Sequence, residues 1–335
     1  MVVIYNINMG NKTTGLKSIA YELEISVNTV SRALRDCDDI SEATKEKVRK
    51  KAYELGYLPN TVSQFIKRDD KKLVAIILNS LKNHFFSIIG EKLINTCMQE
   101  DLDFCFIYSL NKKIDNNIIK QCISQRVDVI VSLLEPDSKA IDTCKLNGIP
   151  FIMVGRNINS DYVDCIYTND ADGGRIVANY LVNYHHLTKL IYIKMSNVEC
   201  SKRRFKAFES TVKELNKDAD IVVLDENYSK KHLLELITSG YLGVFCFNDE
   251  LAYDVLSEIN SEIPNFRKIY PRFHLIGYDC LNTRGIGLID ITSIDFDYDE
   301  ICKQTFRLIQ QKINCIDGKR EEIVIPVSLH QRKYF

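Results

Sequence analysis

The sequence predicts a small all-α unit built on a helix-turn-helix, followed by an α/β body of two Rossmann-like lobes with parallel sheets. Three observations lead there. Between Leu16 and Leu55, apolar residues recur in three short groups at the three- and four-residue spacing of a buried helix face. From Leu73 onward, short apolar runs alternate with amphipathic stretches of helical period. That alternation comes as two successive series, which is the pattern of two parallel sheets, each covered by helices on both faces.

The elements follow in order. Leu16, Ile19, Ala20 and Leu23 mark the buried side of a first helix. After a break at Glu24-Ile25, Ser26 is placed to cap a second helix, its hydroxyl accepting free N–H groups of the first turn. Val27, Val30 and Leu34 form that helix's apolar side; Asn28, Thr29, Ser31, Arg32 and Arg35 form its polar side. Ser41 caps a third helix with an apolar side of Ala43, Val48, Ala52 and Leu55, and Gly56 suits its stop. Pro59-Asn60 breaks the helical pattern. In the body, strands are expected at 73–78, 104–108, 127–134 and 151–154, and in a second series at 190–193, 221–224, 244–247 and 274–276; residues 86–98 read as helical.

Short polar groups at a helix start can enter the major groove, where Asn suits adenine and Arg suits guanine. The string Thr29-Val30-Ser31-Arg32-Ala33-Leu34, with Glu54-Leu55-Gly56-Tyr57-Leu58-Pro59-Asn60 further on, resembles the DNA-binding headpiece of the lactose/galactose repressor (LacI/GalR) family. The resemblance implies that Ser26, Val27, Asn28, Thr29, Ser31 and Arg32 lie at recognition-helix and phosphate-contact positions, with Val27 and Asn28 the principal base readers. Glu24 stands where the family usually carries glycine in the turn, and a positive φ there would strain it. Residues 59–72 resemble the family's hinge helix, which folds in the minor groove when two chains meet on an operator. Asn60, Ser63 and Ile66 are then further DNA contacts, Ile66 at the position of the apolar wedge.

The body resembles the effector domain of the same family, with the type I periplasmic-binding-protein fold. The resemblance rests most on Phe247-Asn248-Asp249-Glu250-Leu251-Ala252 and Ile276-Gly277-Tyr278-Asp279, and less on Asn169-Asp170-Ala171-Asp172-Gly173-Gly174 and Ile291-Thr292-Ser293-Ile294. It implies a headpiece over 14–58, a hinge over 59–72, a first lobe from 73–162 plus 291–318, and a second lobe from 163–290 plus 319–335, with crossings near Tyr162, Ile291 and Gly318. Ligands of such sheets bind beyond the carboxyl ends of the strands. Carried over by position, Arg204, Asn248 and Asp279 are polar effector contacts, Tyr228 an aromatic one, and Phe85 and Phe86 contribute from the first lobe. Gly155 stands where a carboxylate is frequent, and Arg156 beside it brings positive charge. The effector is expected to be a sugar or sugar phosphate that releases a homodimer from a pseudo-palindromic operator. Corepression by a non-sugar metabolite is the alternative, and a sugar-binding or sugar-modifying protein without a DNA role the remote one.

Composition excludes other classes. Hydrophobic residues make up 45% of 335, ample for a core, yet no apolar run reaches the length of a membrane span. Eleven cysteines are scattered without a C-x-x-C pair, so reduced thiols in a cytoplasm are expected, with no metal and no cofactor. Residues 1–15 lack a secretory pattern, and Met9 is an alternative start. Residues 1–72 hold 13 Lys and Arg against 10 Asp and Glu, so +3 of a total of −1, leaving −4 for the rest. A basic head on an acidic body fits nucleic-acid binding by one end. The phosphate-loop, nucleophile-elbow and H-E-x-x-H signatures are all missing, which argues against an enzyme.

Overall fold

The computed structural model describes residues 16–34, 37–55, 71–111, 113–281, 291–314 and 319–332. Arg35, Gly56, Asn60, Ser63 and Ile66 lie outside the described residues. The chain divides into two units at Asp70/Lys71.

The first unit holds α1 (Leu16–Glu22), α2 (Val27–Leu34) and α3 (Glu42–Glu54). Its core is Ile19, Ala20, Val30, Ala33, Val48 and Ala52, with Leu16, Leu23, Ile25, Leu34, Ile40 and Leu55 packed around them. The end of α1 is a Schellman turn: Ile25 N–H donates to Ala20 C=O and Glu24 N–H to Tyr21 C=O. Glu24 sits at the left-handed position of that turn with φ 53°, the strain anticipated where glycine is usual. Two expected core positions differ. Val27 is 40% exposed, because it is the first helical residue after the Ser26 cap and projects beyond the core; Ala33 is buried instead. Ala43 faces solvent in the first turn of α3.

The second unit contains two six-stranded sheets. The first has the order β11-β5-β4-β3-β1-β2: β1 is Leu73–Leu78, β2 Asp103–Tyr108, β3 Val129–Ser132, β4 Phe151–Val154, β5 Asp164–Thr168 and β11 Glu322–Ile325. The second has the order β12-β10-β9-β8-β6-β7: β6 is Lys189–Lys194, β7 Asp220–Asp225, β8 Gly243–Cys246, β9 His274–Tyr278, β10 Thr292–Phe296 and β12 Val327–His330. All pairings are parallel except β10 with β12. The interior strands β1 and β4 are apolar along their whole length since helices cover both faces; every residue of both is buried.

Helices in chain order are α4 (His84–Gln99), α5 (Asn116–Ser124), α6 (Ser138–Leu146), α7 (Asp170–Ala178), α8 (Glu199–Leu215), α9 (Lys230–Thr238), α10 (Asp249–Glu262), α11 (Phe266–Ile269) and α12 (Tyr298–Ile313). The chain passes between the sheets three times: after β5, after β10 and between β11 and β12. These crossings lie near residues 169, 297 and 326 rather than at Tyr162, Ile291 and Gly318, the last of which is outside the described residues. The shift has one cause: β5, β10 and β11 each complete a ladder with the sheet the chain is about to leave. Residues 163–168 therefore belong to the first lobe, 291–296 to the second, and 319–325 to the first.

Candidate DNA interface and effector cavity

The opening of α2 is built by its cap. Ser26 Oγ accepts the Thr29 N–H at 3.0 Å and lies 2.8 Å from Thr29 Oγ1, fixing both hydroxyls at the helix start. Val27 and Asn28 stand exposed beside them, while Thr29, Ser31 and Arg32 are half-buried. Free N–H groups, short polar side chains and one exposed branched side chain at a helix N-terminus suit both phosphate and base edges. The Arg32 guanidinium is engaged by Asp39, Nη2 to Oδ2 at 2.6 Å, which holds its pKa above the ordinary value.

In the body, the carboxyl ends of strands from both sheets face one cavity. Six of the seven expected effector contacts meet there: Phe85, Phe86, Arg156, Arg204, Asn248 and Asp279. Asn83 caps α4 through the Phe86 N–H at 3.0 Å, which sets the two phenylalanines at the helix start. Gly155 follows β4 with φ 87°, and a Cβ on it would come within 3.0–3.1 Å of the Phe85 ring. The ring thus occupies the space of the carboxylate that the resemblance led one to look for.

Asn248 caps α10, its Oδ1 accepting the Leu251 N–H at 3.0 Å, so its amide N–H₂ is left to donate. Arg204 is buried on α8. Its Nε donates to Asp170 Oδ1 at 2.9 Å and its Nη1 to the Phe247 C=O at 2.6 Å. The guanidinium carbon lies 3.3 Å from the Tyr278 ring centroid and 4.7 Å from that of Phe247. Asp170 is itself 3% exposed and also binds Arg203 at 3.0 Å. Asp170 thus balances the charge of Arg204 and, with the Phe247 carbonyl, fixes the orientation of its guanidinium. Close approach of α7 to α8 depends on Gly174, where a Cβ would stand 2.3 Å from the Arg204 C=O.

Asp279 enters from the turn after β9, with φ 98°. Burial raises its pKa well above the carboxylate range, and Arg204 works in the opposite direction. The turn is held from behind by Asp249, which is fully buried. Asp249 accepts the Leu281 N–H and the Ser293 hydroxyl, each at 2.7 Å, while Ser293 Oγ accepts the Cys280 N–H at 3.0 Å. Burial pushes Asp249 up to about 7 against these hydrogen bonds.

Tyr228 does not line the cavity. It follows β7, the edge strand of the second sheet, and its hydroxyl donates to Glu258 at 3.0 Å amid an apolar cluster around Leu233. Phe247 and Phe296 supply the second lobe's aromatic wall instead. Sequence reasoning also missed Thr168, Cys200 and Asp170. Asp170 sits in the Asn169-Asp170 pair already noted, immediately after a strand, which was the available signal.

Comparison with known proteins agrees with the two-part organisation of the chain. Residues 15–60 match the model for bacterial regulatory proteins of the lacI family, and residues 74–284 match the periplasmic binding protein domain. The HTH-type transcriptional repressor PurR of Mannheimia succiniciproducens is 23% identical over 95% of this chain and 97% of its own. The probable HTH-type transcriptional regulator EndR of Paenibacillus polymyxa is also 23% identical, over 92% and 94%. The lac repressor dimer bound to operator and the anti-inducer ONPF aligns with TM-score 0.70 at 19% identity, covering 96% of this chain and 99% of that one. A LacI family regulator from Enterococcus faecium with bound ribose aligns with TM-score 0.66 at 21% identity, covering 78% and 97%.

Proposed function

From the premise that this chain belongs to the lacI family of bacterial regulatory proteins, non-enzymatic DNA-binding transcription regulators, we propose that it is a homodimeric repressor of a carbohydrate operon, released by a sugar phosphate or sugar bound between its lobes. The observation that carries the effector site is the meeting of Phe85, Phe86, Arg156, Arg204, Asn248 and Asp279 around one cavity, though they come from five separate places in the chain. Aromatic faces pack on the C–H side of a sugar ring, and the Asn248 amide, Arg204 Nη2 and Asp279 carboxylate serve its hydroxyls.

Arg156 favours an anionic group. It lines the cavity and makes no hydrogen bond or ion pair with a described residue, whereas Arg204 is already matched by Asp170. The aromatic walls from both lobes favour a second reading, a flat heterocycle held between Phe85 or Phe86 and Phe247 or Phe296. On the DNA side, Ser26, Val27, Asn28, Thr29, Ser31 and Arg32 read the operator from α2, and the hinge contacts Asn60, Ser63 and Ile66 remain part of the proposal. The setting is the cytoplasm; no helix among the described residues is long and apolar enough to cross a membrane.

A thermal-shift panel of pentoses, hexoses, their phosphates and purine bases tests the effector class, because a ligand that prefers the native state raises its melting temperature. A sugar phosphate is expected to shift it most, and Arg156→Ala to erase the advantage of the phosphate over the free sugar. A shift by purine bases alone would select the second reading. No shift by any of them would overturn both.

A further inference from the structure

Side chains from three places far apart in the chain converge at one end of the second sheet. Cys280 lies two residues beyond β9, Asp295 on β10 and His330 on β12. β10 sits between the other two strands, parallel to β9 and antiparallel to β12, with Ile294 beside Tyr278 and Ser293 beside His330. Side chains alternate along a strand, so Asp295 shares a face with Ser293, and His330 is brought to it by pairing. The turn after β9 carries Cys280 to the same place, its N–H bonding Ser293 Oγ at 3.0 Å.

The thiol, a carboxylate oxygen and an imidazole nitrogen all lie within 4.8 Å of one another. Cys280 and the preceding Asp279 have φ 50° and 98°, a conformation that costs L residues roughly 1–3 kcal/mol each. This turn therefore points consecutive side chains in directions an ordinary strand end does not reach. Cys280 is buried, and Asp295 and His330 are half-buried. The donor set is one sulfur, one nitrogen and one oxygen. Such a mixture matches a borderline-soft ion with tetrahedral preference, and three protein ligands leave the fourth position to water. Hard oxygen-seeking ions such as magnesium or calcium have no use for the thiol.

We propose that Cys280, Asp295 and His330 form a binding site for a divalent cation of the zinc class. The site replaces the expectation of no metal drawn from scattered cysteines, since its ligands are separated by 15 and 35 residues and match no motif spacing. It is independent of the effector assignment, although Cys280 adjoins Asp279.

The test uses the full-length chain, reduced, treated with chelator and dialysed against Co²⁺ or Zn²⁺. The expected result is one ion per chain and a thiolate-to-cobalt charge-transfer band in the near ultraviolet. Cys280→Ser should abolish the band. His330→Ala should weaken binding by at least about a hundredfold, since even outer-shell partners of metal ligands are worth 10–100-fold. Cys302→Ser, which alters a buried thiol on α12, should change neither. His330 is half-buried on the edge strand β12, so its loss leaves the core intact, and a circular-dichroism melt checks this. Absence of stoichiometric binding to the wild-type chain would overturn the site. So would a cobalt–thiolate band that survives Cys280→Ser, or unchanged affinity in His330→Ala.

Discussion

Gly277 offers the sharpest perturbation of the effector cavity. A Cβ there would stand 1.9 Å from Asp249 Oδ1, 3.0 Å from its Cγ and 3.1 Å from its Cα. The carboxylate cannot yield freely, because it is fully buried and holds both the Leu281 N–H and the Ser293 hydroxyl at 2.7 Å. Gly277→Ala must displace it and break those bonds. A hydrogen bond to a charged group contributes about 1.5–3 kcal/mol, so losing two, with partial relaxation, costs roughly 3–5 kcal/mol. That is a large share of a total stability of about 5–15 kcal/mol. Urea unfolding followed by far-ultraviolet circular dichroism reads the loss, as the chain has no tryptophan. The cause is isolated by a cycle with Asp249→Ala: once the carboxylate is gone, the methyl at 277 should cost less than about 1 kcal/mol, a coupling of at least roughly 2 kcal/mol. Additive losses, or a single-variant cost below about 1 kcal/mol, would refute the clash. The same variant should lose ligand-induced stabilisation, since the turn bearing Asp279 is fixed through Ser293 and Leu281.

Other predictions follow from the same reasoning. Asp39→Ala should free Arg32 and tighten operator binding about two- to fivefold, the scale of a half-exposed ion pair, whereas Arg32→Ala should weaken it; fluorescence anisotropy on operator DNA would show opposite signs. Glu24→Gly should stabilise the first unit by up to about 1 kcal/mol, relief of roughly 1–2 kcal/mol of left-handed strain less the unfolded-state entropy of glycine; a lowered melting temperature would contradict it. His274 packs against His185 in a tilted arrangement with ring centroids 3.6 Å apart, and burial, then His185 and Arg272, lowers its pKa to about 4. Its folded form holds fewer protons than the unfolded one between about pH 4 and 6.5, so its contribution is present above 6.5 and lost as pH falls through that window. After allowance for solvent screening this amounts to roughly 1–2 kcal/mol. Asp249, raised to about 7, slopes the other way, losing stability as pH rises from about 4 to 7. His274→Phe should therefore make the body relatively more stable in acid than the wild type; an unchanged profile would exclude the histidine.

How much was legible depended on whether a signal was local. Strands such as Leu73–Leu78 announce themselves because both their faces are buried. The strand Asp164–Thr168 does not, since it opens on a carboxylate; that carboxylate is nevertheless buried, accepting the Glu321 N–H at 2.7 Å and meeting Lys312 at 2.9 Å. Such partners are set by tertiary pairing over more than a hundred residues. This also explains why the crossings were placed early: the last strand before each crossing carries polar residues. Asn248 and Asp279 were readable as polar residues just after strands. Asp170 was readable as a position but not as the partner of Arg204, and Tyr228 was misplaced because it was carried over by resemblance alone, which does not reveal that it follows the edge strand β7 and packs on Glu258. The capped start of α2 and the strained Glu24 turn were local, and both emerged as the sequence implied.

The central claim is that one unit grips DNA and the other decides when it lets go. Binding-site selection from random duplex, followed by titration of the selected site with and without the sugar phosphate found in the thermal-shift panel, tests it most directly. The prediction is a pseudo-palindromic site bound as a dimer, with affinity lowered about 5–150-fold by the effector, the range of a coupling of 1–3 kcal/mol. Failure to enrich any sequence, or enrichment of a site whose affinity no panel ligand changes, would contradict it.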